Sequence, residues 1–172
     1  MTSDLSEKLP DELRAWKPGR TEYTVQACSF SPKIHKTGGG EALHVEFRWT
    51  SRSNPREWGR PANEASYYNL NNVLGESDET LSRIRITCDL PGELSEPSQQ
   101  TLLQAESSNT AYAGTEADKN TRDRQITFLY LMARKAVEAL GCENNPLAKD
   151  PVAKAYSTPE EAVRSGPRPG SG

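Results

Sequence analysis

Between Lys33 and Arg60 lie six cations, Lys33, Lys36, Arg48, Arg52, Arg56 and Arg60, against three acids, Glu41, Glu46 and Glu57. That local balance of +3 sits in a chain whose net charge is -3, so positive potential is concentrated in one stretch. Trp58 falls inside it, and Tyr67 and Tyr68 follow just beyond. Ammonium and guanidinium groups suit phosphates and flat rings suit unpaired bases, so the stretch is equipped to contact a single nucleic-acid strand. The competing reading is a solvated surface over a core. Adjacent tyrosines in an extended segment point to opposite faces, so one of Tyr67 and Tyr68 belongs to the interior, as does Trp49. The candidate site is therefore Lys33, Lys36, Arg48, Arg52, Arg56 and Arg60 for phosphates, with Trp58 and Tyr67 or Tyr68 for bases.

Other chemistry finds less support. Gly38-Gly39-Gly40 lacks the GK[ST] of a phosphate-binding loop and reads as a hairpin tip. Nothing resembles a GxSxG elbow or an HExxH pair, and His35, His44 and Cys28 follow no metal-ligand spacing. The expectation is a non-enzyme with no cofactor, metal or small-molecule substrate. Cys28, Cys88 and Cys142 are odd in number, far apart and without a CxxC pair, which reads as reduced thiols. No apolar run approaches a membrane span and Met1–Leu9 lacks the features of a signal peptide, so a cytoplasmic protein with no membrane contact is expected.

The elements that must position these residues are read from periodicity. Ile126, Leu129, Tyr130, Ala133, Ala136, Val137 and Leu140 recur at steps of three and four, which predicts a long amphipathic helix over 121–141. Asn120 and Asp123 are the expected capping pair, Arg124 and Gln125 lie on the solvated side, and Gly141 ends the helix. Alternation predicts strands over 21–29, 42–50 and 83–90, the second being the clearest, with Leu43, Val45, Phe47 and Trp49 on one face, and a further strand is expected over 65–70 around Tyr67 and Tyr68. Asn69, Asn71 and Asn72 supply turn chemistry, and 75–80 reads as a turn or brief helical start. Residues 98–106 suggest a short helix, and 104–119 a mobile loop.

The fold class expected is α+β: a small antiparallel sheet or OB-like barrel with one long helix packed on it and flexible termini. The organisation expected is an N-terminal arm over 1–20, one domain over 21–156 and a disordered tail over 157–172. In the arm, one or two helical turns begin at Pro10, and Trp16 pins it to the sheet. Twelve Gly and twelve Pro with 34% apolar residues are consistent with much loop.

Tyr23-Thr24-Val25, then Lys36-Thr37-Gly38-Gly39-Gly40-Glu41-Ala42-Leu43-His44-Val45-Glu46-Phe47, then Tyr68-Asn69-Leu70-Asn71-Asn72, and finally Ala136-Val137-Glu138-Ala139-Leu140-Gly141 follow in order. The series resembles small bacteriophage proteins of replication and recombination modules that are single-strand DNA-binding proteins with an OB-like barrel. The resemblance covers about 60 residues in pieces and implies a single-stranded DNA partner, with RNA as a variant, in a bacterial host cytoplasm. Two departures stand out: the 83–121 stretch is long for the pattern, and no strand pair follows Gly141 to complete a barrel. The alternative from another class is a phage accessory or structural protein that forms a homo-oligomer without nucleic acid.

Overall fold

The computed structural model describes residues 2–18, 23–30, 43–52, 65–109 and 118–165. Seven strands, β1 (Val25–Phe30), β2 (Leu43–Ser51), β3 (Ser66–Leu70), β4 (Val73–Ser77), β5 (Leu81–Ile86), β6 (Thr101–Asn109) and β7 (Lys154–Tyr156), form one antiparallel sheet in the order β1-β2-β6-β5-β4-β3-β7. Four helices accompany it: α1 (Thr2–Ala15), α2 (Ser95–Gln100), α3 (Lys119–Leu140) and α4 (Pro159–Arg164). The α+β expectation with one long helix holds. The sheet is open, since β1 and β7 are its edges and no pairing joins them among the described residues.

β2 shows why the alternating pattern was informative. Val45, Phe47 and Trp49 are buried on the face that carries α1 and α3, while His44, Glu46 and Arg48 stand on the other. β3 turns into β4 through Asn71 and Asn72, both at positive φ (55° and 75°), a two-residue hairpin turn that asparagine tolerates. Ile126, Leu129, Tyr130, Ala133, Ala136 and Val137 of α3 are buried against the sheet as the periodicity predicts. Gly75 sets how closely that helix approaches: a Cβ there would stand 3.0 Å from Ile126 Cδ1 and 3.0 Å from Ile84 Cγ2. The helix ends at Gly141, φ 71°, where the Cys142 N–H bonds the Val137 carbonyl. Its N-cap is Asp118, whose side chain accepts from the Thr121 N–H, rather than the Asn120 and Asp123 pair.

Several elements differ from expectation. Residues 2–15 are a helix packed in the core, not an arm. Leu5, Leu9 and Leu13, spaced by four, are buried, and the Trp49 indole N–H donates to the Leu9 carbonyl at 2.8 Å. Pro10 lies inside this helix, a placement that costs about 3 kcal/mol. Three buried leucines at roughly 1.5–3 kcal/mol each exceed that cost. Of the spans read as a short helix (98–106) and a mobile loop (104–119), residues 98–100 close helix α2, 101–109 are β6, a central strand held by β2 on one side and β5 on the other, and 110–117 lie outside the described residues. Of the span read as a turn at 75–80, residues 75–77 belong to β4 and 78–80 form the turn, where Asp78 Oδ1 accepts from the Thr80 and Leu81 N–H groups. In the expected tail, α4 seats Ala162 in a buried position, and the Asn69 side-chain amide donates to its carbonyl.

Cys88 and Cys142 form a disulfide, and Cys28 is the free cysteine. The reduced-thiol expectation failed because the partners are 54 residues apart in sequence and meet only when the chain turns back after α3. The Glu143 N–H bonds the Asp89 carbonyl, and Asn144 bonds both Thr87 and Asp89 at the same junction. Such a bond belongs with oxidising surroundings, for which the cytoplasmic expectation made no provision. Among the described residues no helix is long and apolar enough to cross a membrane.

Candidate functional site

Strand register places a row of serines across the helix-covered face: Ser107 of β6 pairs with Ser82 of β5, Ser82 with Ser77 of β4, and Ser77 with Ser66 of β3. The next row along the sheet, Phe47, Ala105, Ile84, Gly75 and Tyr68, is the apolar one on which Ile126 rests. The serine row lies under the first turns of α3. There the helix and the sheet end enclose a cleft of about 220 Å³, lined by Leu43, Thr80, Ser82, Ser107, Asn109, Thr121, Arg124, Gln125 and Phe128.

The polar groups in this cleft are unequally occupied. The Ser77 and Ser82 hydroxyls bond each other at 2.8 Å, Ser77 donates to Gln125 Oε1, and Gln125 Nε2 donates to the Glu79 carbonyl. Gln125 is thereby fixed. Ser107 is only 5% exposed, and no hydrogen bond to its hydroxyl is found among the described residues. Arg124 is exposed on the rim, with no ion pair among the described residues, and the partly exposed ring of Phe128 lies one helical turn further on. The cleft thus sets fixed amide and hydroxyl groups below an exposed cation and a ring.

The opposite face carries a different row: Glu46, Glu106, Arg83, Glu76 and Tyr67 are successive cross-strand partners from β2 to β3. Arg83 donates to Glu76 at 2.6 Å and to Glu106 at 2.8 Å, Arg48 pairs with Glu106 at 3.2 Å, and His44 Nε2 meets Glu46 at 3.0 Å. Burial pushes the Glu76 carboxyl up to about 7, and Arg83 beside it only partly offsets the loss of water. Arg48 and Arg83 are held on this face by Glu46, Glu76 and Glu106, so neither guanidinium is presented unpaired to a phosphate. Among the described residues no cluster of His, Cys, Asp or Glu is arranged to hold a metal ion.

The sequence candidates separate on this frame. Lys33, Lys36, Arg56, Trp58 and Arg60 lie outside the described residues. Tyr68 is corrected to a core residue: it is fully buried, its hydroxyl donates to Asp123 Oδ1 at 2.9 Å, and burial pushes its phenol up, so it offers no ring to a base. Its neighbour Tyr67 is half-buried on the opposite face, beside Glu76. Arg48 is held by Glu106 and Glu46 rather than free to meet phosphate, because the register sets those carboxylates beside it. Arg52 is exposed at the far end of β2, where its N–H bonds the Gln100 carbonyl. The segment 31–42 joins the sheet at the paired residues Phe30 and Leu43, whereas 53–64 follows Arg52. Those attachment points are about 27 Å apart along a nine-residue strand, so the two cationic stretches do not start from one place.

Arg124, Phe128 and Ser107 were not singled out from sequence. The available signal was Phe128 and Leu131, large apolar residues off the buried stripe and spaced three apart, with Arg124 a turn before them. The fold and site define an open-sheet α+β protein with a polar cleft under the start of its long helix. Compared with protein-family models, curated proteins and solved structures, the chain matches none of them.

Proposed function

We propose that the chain is a non-enzymatic protein that binds single-stranded nucleic acid at the end of the sheet where α3 begins. The observation that carries this reading is the pairing of an exposed guanidinium, Arg124, with the ring of Phe128 one turn away over a hydroxyl-lined cleft. Phosphate on the first and a base on the second is the combination that sequence-tolerant strand binders use. Leu43, at the cleft wall, is also where the segment carrying Lys33 and Lys36 rejoins the sheet. In the phage replication or recombination setting that the resemblance implies, the strand is DNA.

Fluorescence anisotropy of a labelled single-stranded oligonucleotide tests this. Affinity is expected to fall as salt rises from 50 to 200 mM, with Arg124→Gln reducing the slope of log K against log salt by about 0.7. Phe128→Leu is expected to cost about 1–3 kcal/mol of binding. No binding at tens of micromolar protein in low salt, or two variants that bind like the parent chain, overturns the reading.

A second reading, self-association, rests on the β1 edge. Val25–Phe30 contains no charge and no proline, pairs only with β2 among the described residues, and is flanked by Tyr23 (54% exposed) and Phe30 (62% exposed). Light scattering decides it: a dimer mass that Phe30→Lys halves supports the edge as an interface, and a monomer mass at 100 µM removes it.

A further inference from the structure

We infer that the cleft under α3 takes a single nucleobase, unstacked from its strand and held with its polar edge on the serine row. The inference rests on the strand-binding reading and specifies what part of the strand enters. Size comes first. At about 220 Å³ the cleft falls below the roughly 300–1,000 Å³ of sites for drug-sized ligands, so it has room for one ring system and not for a run of chain.

The lining chemistry then sorts by depth. Phe128 and Arg124 are on the exposed rim, where a ring stacks and a guanidinium meets the phosphate of the same nucleotide. Below them, Ser82 and Ser107 are almost wholly buried. The Ser82 hydroxyl is committed to Ser77, whereas the Ser107 hydroxyl has no bond among the described residues and remains able both to donate and to accept. A base edge offers alternating donors and acceptors, which suits that hydroxyl and the neighbouring Thr80 and Thr121. A bare phosphate needs neither a ring nor a buried hydroxyl, and an apolar ligand leaves Ser107 unsatisfied. Bases splayed from single strands are recognised in this way, by a ring on the face and hydrogen bonds at the edge.

The cleft also persists without its ligand. Gly75 admits Ile126 to the apolar row, and the Gln125 amide is tied to Ser77 and the Glu79 carbonyl, so the helix is held at fixed height over the serines. A preformed pocket avoids an ordering cost on binding.

The test is competition on the full chain. A labelled oligonucleotide is challenged with each of the four deoxynucleoside monophosphates and with ribose 5-phosphate, which carries the phosphate and sugar but no base. The expected result is displacement by at least one nucleotide at a concentration at least tenfold below that needed for the sugar phosphate. Ser107→Val is expected to weaken nucleotide binding about tenfold and to leave the salt slope of strand binding unchanged. Ser107→Ala, a smaller change, serves if the valine variant unfolds on heating below the parent. Strand binding with equal competition by ribose 5-phosphate, or with both Ser107 variants silent, overturns the base pocket and leaves the strand-binding reading intact. Nucleotide binding without strand binding supports the pocket and removes the strand. Neither binding overturns both.

Discussion

The double variant Cys88→Ala/Cys142→Ala is expected to unfold with about 4 kcal/mol less free energy than the parent chain. The bond closes a loop of 54 residues. Chain-entropy reasoning gives about 3 kcal/mol for a 15-residue loop and about 4.7 for a 100-residue one, which brackets this case. For a chain of 172 residues, each kcal/mol moves the melting temperature by about 2–4 °C, so a drop of about 8–16 °C follows. Three hydrogen bonds at the same junction, from Glu143 and from Asn144 in both directions, remain in the variant and keep the helix end docked. The loss therefore falls on the unfolded chain, which gains freedom, more than on native contacts. Calorimetry of parent and variant measures it. Thiol titration of the denatured, unreduced parent should count one cysteine, Cys28. Three reactive thiols, or identical melting with and without reductant, would show that the bond does not form.

Arg83→Met is expected to cost about 3–5 kcal/mol, more than most single core truncations, because it strands carboxylates. Arg83 and Glu76 are 8% and 4% exposed, and Arg83 also holds Glu106. In the parent the Glu76 carboxyl is raised from 4.5 to about 7 by burial. The folded state thus binds a proton that the unfolded state has released across roughly pH 4.5–7, and stability from this group falls as pH rises through that window, levelling off above it. Without Arg83 the folded value moves higher still, so stability continues to fall beyond pH 7. The gap between parent and variant should widen from pH 6 to pH 9. A packing defect alone would give a gap independent of pH. Arg83→Met/Glu76→Met should recover most of the loss, since Glu106 keeps Arg48 and no buried charge is left alone. Urea unfolding at pH 6 and at pH 9 separates these outcomes. A constant gap, or a double variant weaker than the single one, refutes the account.

Periodicity carried the parts of the fold where one face is greasy and the other wet. α3 and β2 were legible because Ile126 to Val137 and Val45 to Trp49 each meet the core at the repeat of their element. The Asn71-Asn72 turn was legible because few residues tolerate positive φ. α1 was hidden by Pro10, whose local cost is overridden by leucines that find partners only in the assembled core. β6 was hidden because few of its residues are β-branched or aromatic and its second half, Glu106 to Asn109, is polar on both faces. Ala105 and Ser107 face the helix side and Gln104 and Glu106 the other, and backbone pairing on both flanks stabilises the strand more than any alternation does.

The candidate site divides in the same way. Sequence alone identified which residue types were concentrated where, and that one of two adjacent tyrosines belongs inside. Which one it is, Tyr68, depends on the register of β3 against β4. Register likewise spends Arg48 on carboxylates and lines up serines from four strands under one helix end. Local composition determined the long helix, the strongest strand, the tight turn and the charge contrast, since each depends on neighbours within a few residues. Tertiary structure alone decided the open sheet, the disulfide and the cleft, because each requires chain segments tens of residues apart to be brought into contact.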